Sequence, residues 1–120
     1  MKNIYVLLII FISIGMKGLS QKYNLELLKS YTKKELQSME QSTLDILDYG
    51  IQNAIYYVEI PNEKSIQLNE IEVLGAVRFT DLGLKITNEN QYFRIKGSKQ
   101  MLVVKSQYVL KNEMINRNKN

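Results

Sequence analysis

Three side chains suited to binding an anion share one face of a predicted strand. Tyr92, Arg94 and Lys96 follow one another at a spacing of two, and alternate residues of a strand point to the same side of a sheet. An aromatic ring beside such cations suits a surface that recognises an acidic partner. The sequence therefore predicts a binding surface within residues 85–111, formed by Tyr92, Arg94, Lys96, Lys99 and Lys105. The alternative is a solvated sheet face, on which lysines also prevent mispairing of strands.

The charges of the chain are divided between its two halves. Residues 21–84 carry six basic and ten acidic side chains, whereas residues 85–120 carry eight basic and two acidic ones. We therefore expect the partner to be an envelope protein or an anionic glycan that contacts the basic half. The chain has no aromatic ribonucleoprotein motif, so we expect no nucleic-acid partner.

The composition excludes several kinds of catalytic site. The chain contains no His and no Cys, which excludes a Ser-His-Asp triad, a Cys-His dyad, a thiolate or imidazole metal site and any disulfide. It also lacks a phosphate-binding glycine loop and an Asp-x-Asp-x-Asp calcium loop. The sequence predicts no catalytic residue, no metal site and no cofactor, and a non-enzymatic binding or accessory module as the function.

Carboxylates are the only groups that could support an enzyme. Glu70 and Glu72 share one face of a predicted strand, and a glycosidase needs two carboxylates about 5–10 Å apart. Any two residues at this spacing on a strand meet that distance, so we interpret these charges as solvated. A small carboxylate-dependent hydrolase that uses Glu70 or Glu72 is the alternative function.

The first twenty residues have the layout of a secretory signal peptide. Lys2 precedes an apolar run over residues 4–14, and the small residues Gly18 and Ser20 precede a predicted cleavage site before Gln21. The run is too short to span a hydrocarbon core of about 30 Å. We expect a cleaved signal over residues 1–20, with an uncleaved anchor as the alternative.

The end of this segment, Gly18-Leu19-Ser20-Gln21, resembles the signal regions of short exported proteins from Bacteroidota-type bacteria. The resemblance implies a periplasmic or extracellular protein and no particular activity. Contact with the membrane is then expected only through the signal before cleavage. Removal of the signal lowers the net charge from +4 to +2.

Two helix starts follow one another early in the predicted domain. Thr32 and Glu35 have the spacing of a capping box, and Ser42 and Asp45 repeat it ten residues later. These starts predict a short helix and then a longer one, and a single helix through both is the alternative. The apolar stripe of the longer helix is Leu44, Leu47, Ile51, Ile55 and Val58.

The remainder of the chain has the spacing of strands. The predicted helix yields to a strand near residues 56–60, where one of Tyr56 and Tyr57 is expected to face the core. Alternation predicts strands over residues 65–74 and a three-stranded antiparallel meander over residues 84–104. Ser106 is expected to cap a last short helix over residues 108–114, with a continued strand as the alternative, and residues 116–120 to form a frayed tail. The predicted fold is one α+β domain over residues 21–120, in which an N-terminal helical pair packs on a small, mostly antiparallel sheet.

Overall fold

A computed structural model describes residues 22–60, 68–75 and 77–118 of the chain. The predicted signal segment and the first part of the strand predicted over residues 65–74 lie outside these residues. The described residues combine helices with a four-stranded sheet, which agrees with the α+β class. Among them, no helix is long and apolar enough to cross a membrane.

The described residues form three α-helices, α1 to α3, two 3₁₀ helices and four strands, β1 to β4. Their bounds, in chain order, are a first 3₁₀ helix Leu25–Lys29, α1 Lys33–Ser38, α2 Gln41–Asn53, β1 Ile55–Glu59, β2 Asn69–Ile71, a second 3₁₀ helix Phe79–Leu82, β3 Gln91–Ile95, β4 Gln100–Val104 and α3 Gln107–Asn118. Helix α3 extends over residues 116–118, the first part of the predicted tail.

Local capping explains where two of the helices begin. The Glu35 N–H donates to Thr32 Oγ1 at 3.1 Å and the Thr32 N–H donates to Glu35 Oε1 at 2.9 Å, which confirms the capping box of α1. The Ser106 hydroxyl accepts from the Val109 N–H at the start of α3, as predicted. The second predicted box is wrong, because α2 already begins at Gln41 and Asp45 accepts from the Gln41 side chain instead.

The sheet has the strand order β1-β4-β3-β2 and mixed topology. Strand β4 pairs antiparallel with both β1 and β3, and β2 pairs parallel with β3. Two of the three pairings are therefore antiparallel. Strands β3 and β4 form a hairpin, in whose turn Gly97 takes a φ of 75°, a conformation that side chains other than glycine rarely adopt.

The meander predicted over residues 84–104 is wrong in its first strand. Residues 84–87 form no strand, although their sequence alternates polar and apolar residues. Their backbone groups are bonded elsewhere: the Ile86 N–H donates to the Tyr31 hydroxyl, and the Thr87 carbonyl accepts from the Gln107 N–H. Leu84 and Ile86 still pack against the core, so burial alone explains the alternation.

The core lies between the helices and one face of the sheet. Leu102 and Val104 of β4 belong to one buried cluster with residues of α2 and with Leu110 of α3. Gly50 of α2 allows this close packing, because a Cβ at that position would lie 3.1 Å from Leu110 Cδ1. The cluster comprises Leu27, Tyr31, Leu36, Leu44, Ile46, Leu47, Ile51, Ala54, Phe79, Leu102, Val104 and Leu110.

Candidate functional site

The opposite face of the sheet, here called the open face, carries a row of two tyrosines around one valine. Strand register places Val103 of β4 directly between Tyr56 of β1 and Tyr92 of β3. Tyr56 and Tyr92 are 41% and 46% exposed, whereas Val103 is 1% exposed and lies outside the core cluster. Because adjacent strands lie about 4.8 Å apart, the two tyrosines project from backbones about 10 Å apart. The row therefore presents two partly exposed rings on either side of a buried aliphatic side chain.

A second row on the open face adds a flexible apolar side chain and a cation. Here the register aligns Val58 of β1, Met101 of β4, Arg94 of β3 and Glu70 of β2. Val58 is 38% exposed, and Met101 and Arg94 are half-buried. Phe93 and Ile95 point to the other side and pack against the core, as alternation along a strand requires. The open face thus changes from aromatic to basic along the direction of the strands.

Two of the predicted cations lie at one end of the open face. Lys96 directly follows β3 and Lys99 directly precedes β4, so both belong to the turn of the hairpin. Both side chains are exposed, and their backbone is fixed by neighbouring strands. The Lys96 N–H donates to the Ile71 carbonyl, and the Lys99 carbonyl accepts from the Ile60 N–H, each at 2.9 Å. With Arg94 they form the basic end of the open face.

Lys105 does not join the other predicted residues. It lies beyond the opposite end of β4, where its Nζ is 2.8 Å from Glu113 Oε2. The Tyr49 hydroxyl also donates to this carboxylate, at 3.3 Å. The same Nζ lies 5.7 Å from the centroid of the Tyr56 ring, within the range of a cation–π interaction. Lys105 therefore contacts both Glu113 and the ring of Tyr56, and its charge is compensated within the chain.

Residues from β1 and β4 complete the open face but were not among the predicted binding residues. They are Tyr56, Val58, Met101 and Val103. The strand register places Tyr57 beside Leu102 on the core side of the sheet, as expected for one of the two tyrosines, although its side chain is still 42% exposed. The aromatic pair was visible in the sequence, but its neighbours on the sheet depend on a register between residues more than forty positions apart.

The carboxylates of the alternative hydrolase do not form a metal-binding group. Glu70 lies on the short edge strand β2, Glu72 directly follows it, and both side chains are exposed. Within residues 22–60, 68–75 and 77–118, no three acidic side chains converge so that they could hold a metal ion. Glu70 instead faces Arg94 across the sheet and reduces the positive charge of the open face at this edge.

The clearest shift of a carboxyl pKa occurs in the helical layer. The Lys85 ammonium, followed by the Thr32 N–H, lowers the pKa of Glu35 to about 2. Hydrogen bonds also lower the pKa of Glu26, chiefly through Lys29, and that of Asp81, chiefly through the Arg78 N–H. These groups tie the first 3₁₀ helix and α1 to the segment over residues 78–85.

A separate polar cleft lies between α2 and α3, away from the open face. Its volume is about 690 Å³, and Asp45 and Asp48 of α2 lie opposite Arg117 of α3. None of the predicted binding residues lines it. The other lining residues are Tyr49, Gln52, Asn53 and Met114.

No protein-family model, curated protein or solved structure matches the chain.

Proposed function

We propose that this protein is an exported, non-enzymatic binding or accessory module of the bacterial cell envelope. Its ligand is an acidic segment of a partner protein, held on the open face of the sheet. The observation that carries this proposal is the combination of two half-exposed tyrosines, Met101 and Arg94 on one continuous surface. Export rests on the signal layout of residues 1–20.

The side chains of the open face favour a protein as the ligand. Tyr, Met and Arg are enriched in protein interfaces, and Tyr and Arg often supply most of the binding energy. Tyr56 and Tyr92 offer large rigid apolar surfaces at a small entropic cost. Met101 lies between the two tyrosines and the basic end, and its flexible side chain can adjust to an apolar side chain of the partner.

The basic end favours a partner that is acidic at one side of its contact surface. Arg94, Lys96 and Lys99 lie together there, and Glu70 is the acidic residue that the register places beside Arg94. The partner's carboxylates would meet these cations while its apolar side chains cover the tyrosine row. This arrangement fixes the direction in which the partner lies on the sheet.

The N-terminal helical pair has a supporting part in this proposal. Helices α1 and α2 would act as a rigid backing that keeps the register of the open face fixed. The buried residues Leu36 of α1 and Leu44 of α2 supply the apolar contacts for that role.

Site-specific photo-cross-linking in cells tests the ligand and its place. The full chain carries a photoreactive phenylalanine analogue at Tyr92 or, as a control, at Lys34, which is exposed on α1. We expect an adduct with one envelope protein from position 92 and none from position 34. An adduct with a polysaccharide would show that the ligand is an anionic glycan and not a protein. The absence of an adduct at position 92 would overturn the open face as the binding site.

Charge reversal tests the acidic character of the partner. The double variant K96E/K99E should reduce the yield of the adduct from position 92 at least tenfold. The matched control K33E/K34E makes the same charge change on two exposed lysines of α1 and should leave the yield unchanged. Equal yields from both variants would show that the basic end takes no part in binding.

A further inference from the structure

Strand β1 is an edge of the sheet, and half of its backbone groups point away from its neighbour. The Ile60 N–H donates to the Lys99 carbonyl and the Lys105 N–H donates to the Ala54 carbonyl, both at 2.9 Å. In an antiparallel ladder such hydrogen-bonded positions recur at every second residue. Tyr56 and Val58 therefore bond to β4, whereas Ile55, Tyr57 and Glu59 direct their N–H and C=O groups outward. No described strand pairs with this outer edge.

The outer edge of β1 lacks the features that usually prevent pairing with another strand. Tyr56, Tyr57 and Val58 are 38–42% exposed, and Glu59 is the only charged residue of the strand. The strand contains no proline and no lysine. The edge at the other side of the sheet is shorter, because β2 has three residues and one of them is Glu70.

We propose that a second copy of this chain pairs with the outer edge of β1, antiparallel and with Tyr57 opposite Tyr57. In this register Ile55 of each copy lies opposite Glu59 of the other copy. All three outward residues of each strand are then in hydrogen-bonded positions, which provides about six hydrogen bonds between the copies. The outward residues Ile55 and Glu59 lie two positions before and after Tyr57. A two-fold axis between the two Tyr57 residues therefore pairs the outward N–H and C=O groups of both strands.

Charge and side-chain pairing favour the antiparallel register. The two Glu59 residues lie at opposite ends of the paired strands, about 15 Å apart, which exceeds a Debye length of about 8 Å. An in-register parallel pair would place them side by side. On the open face, Val58 of one copy meets Tyr56 of the other, so an aliphatic side chain faces an aromatic ring in both cross-strand pairs.

The dimer joins two open faces into one. The sheet of each copy has four strands, so the pair forms a continuous sheet of eight. A strand of five residues buries less than the roughly 800 Å² per partner that a stable interface needs, so we expect a weak, concentration-dependent dimer. This inference extends beyond the proposed function and does not depend on it, since no other partner takes part.

A single introduced cysteine tests the register, because the natural chain has none. In the proposed pair the two Cα atoms of residue 57 lie about 5.5 Å apart, within the range of a disulfide. The matched control is the neighbouring residue 58, whose two Cα atoms would lie about 8 Å apart and outside that range. Under mild oxidation of the purified full-chain protein, Tyr57→Cys should form a covalent dimer at least tenfold faster than Val58→Cys. Equal rates would overturn the register.

Sedimentation equilibrium over a range of protein concentrations tests the dimer itself. Tyr57→Pro removes an outward N–H that takes no part in the ladder to β4, and should weaken the dimer at least tenfold. Tyr57→Ala separates the effect of the side chain from that of the N–H. If the proline variant does not fold, Tyr57→Lys keeps the backbone and adds a charge at the edge, and should weaken the dimer similarly. A wild-type chain that remains monomeric up to millimolar concentration would overturn the proposal.

Discussion

The Lys105 ammonium lies 5.7 Å from the centroid of the Tyr56 ring. The same ammonium forms an ion pair with Glu113 of α3 at 2.8 Å, and the side chain of Lys105 is 22% exposed. One cation therefore connects the helical layer to the open face. Because the pair is partly shielded from water, salt screens it less than it screens a fully exposed ion pair.

Removal of this cation should destabilise the fold and release Tyr56. Lys105→Met leaves Glu113 without its cation, so we expect the free energy of unfolding in urea to fall by about 1 kcal/mol. Lys111→Met removes an exposed lysine from the same region and should change it by less than about 0.5 kcal/mol. Equal effects of the two substitutions would argue against a structural role of the ion pair.

The two valines of the open face should respond differently to the same substitution. Val103→Thr places a hydroxyl where the side chain is 1% exposed and should lower the free energy of unfolding by about 2 kcal/mol. Val58→Thr makes the same change at a position that is 38% exposed and should be within about 0.5 kcal/mol of the wild type. Denaturant titration of both variants measures the difference. If Val103→Thr were neutral, the tyrosine row would not shield that position from water.

Gly50 should tolerate one added carbon but not three. In Gly50→Ala a gain in helix propensity of about 1 kcal/mol opposes the close approach of the new Cβ to Leu110 Cδ1 at 3.1 Å. We expect this variant to lie within about 1 kcal/mol of the wild type. Gly50→Val forces Leu110 and Phe79 to move and should lower the free energy of unfolding by about 2 kcal/mol. Thermal or urea unfolding measures both changes, and a stable valine variant would contradict the packing at this helix crossing.

Acid should weaken the fold through Glu35. Lys85 donates to its carboxylate at 2.8 Å and the Thr32 N–H at 2.9 Å, and these bonds lower its pKa from 4.5 to about 2. Between pH 4.5 and about 2, the folded state therefore binds fewer protons than the unfolded state. The stabilisation is present above pH 4.5 and is lost as the pH falls toward 2.

Urea unfolding at pH 7, 4 and 2.5 should show this loss as a falling free energy of unfolding. In Glu35→Gln the slope over that interval should be smaller and the protein less stable at pH 7. Lys85→Gln removes the partner of Glu35 and should likewise make the free energy of unfolding depend less on pH. Glu26 and Asp81, whose pKa values are also lowered, account for an acid dependence that remains in both variants. An unchanged slope in both would contradict the role of this ion pair.

Local signals in the sequence predicted two of the three α-helix starts, and only the box at Ser42 and Asp45 failed, because α2 begins at Gln41. The capping box of Thr32 and Glu35 and the cap at Ser106 depend on residues three positions apart, and both are present. A change from helix to strand was predicted near residues 56–60, and β1 begins at Ile55, so the assignment of Ile55 and Val58 to the helical stripe is wrong. The alternation around Tyr92 and Arg94 correctly placed both on one face of a strand, because the period of two is a property of the strand alone.

Features that depend on distant parts of the chain were not visible in the sequence. The alternation of residues 84–87 predicted a strand, but the Tyr31 hydroxyl, more than fifty positions away, takes the N–H of Ile86. Likewise, the sequence predicted Lys105 as part of a basic surface, and only the fold brings Glu113 beside it. Tyr56 and Val58 reach the open face only through the pairing of β1 with β4.

That pairing has a consequence for how the chain folds. The partners in β1 and β4 are 41 to 49 positions apart, whereas those in β3 and β4 are at most 13 apart. The entropy of loop closure favours the shorter connection, so we expect the hairpin to form first and β1 to join it late. During synthesis from the N-terminus, Tyr56, Tyr57 and Val58 remain without their strand partner until β4 has emerged. The strand that gives the sheet its aromatic edge is therefore also open to aggregation before folding is complete.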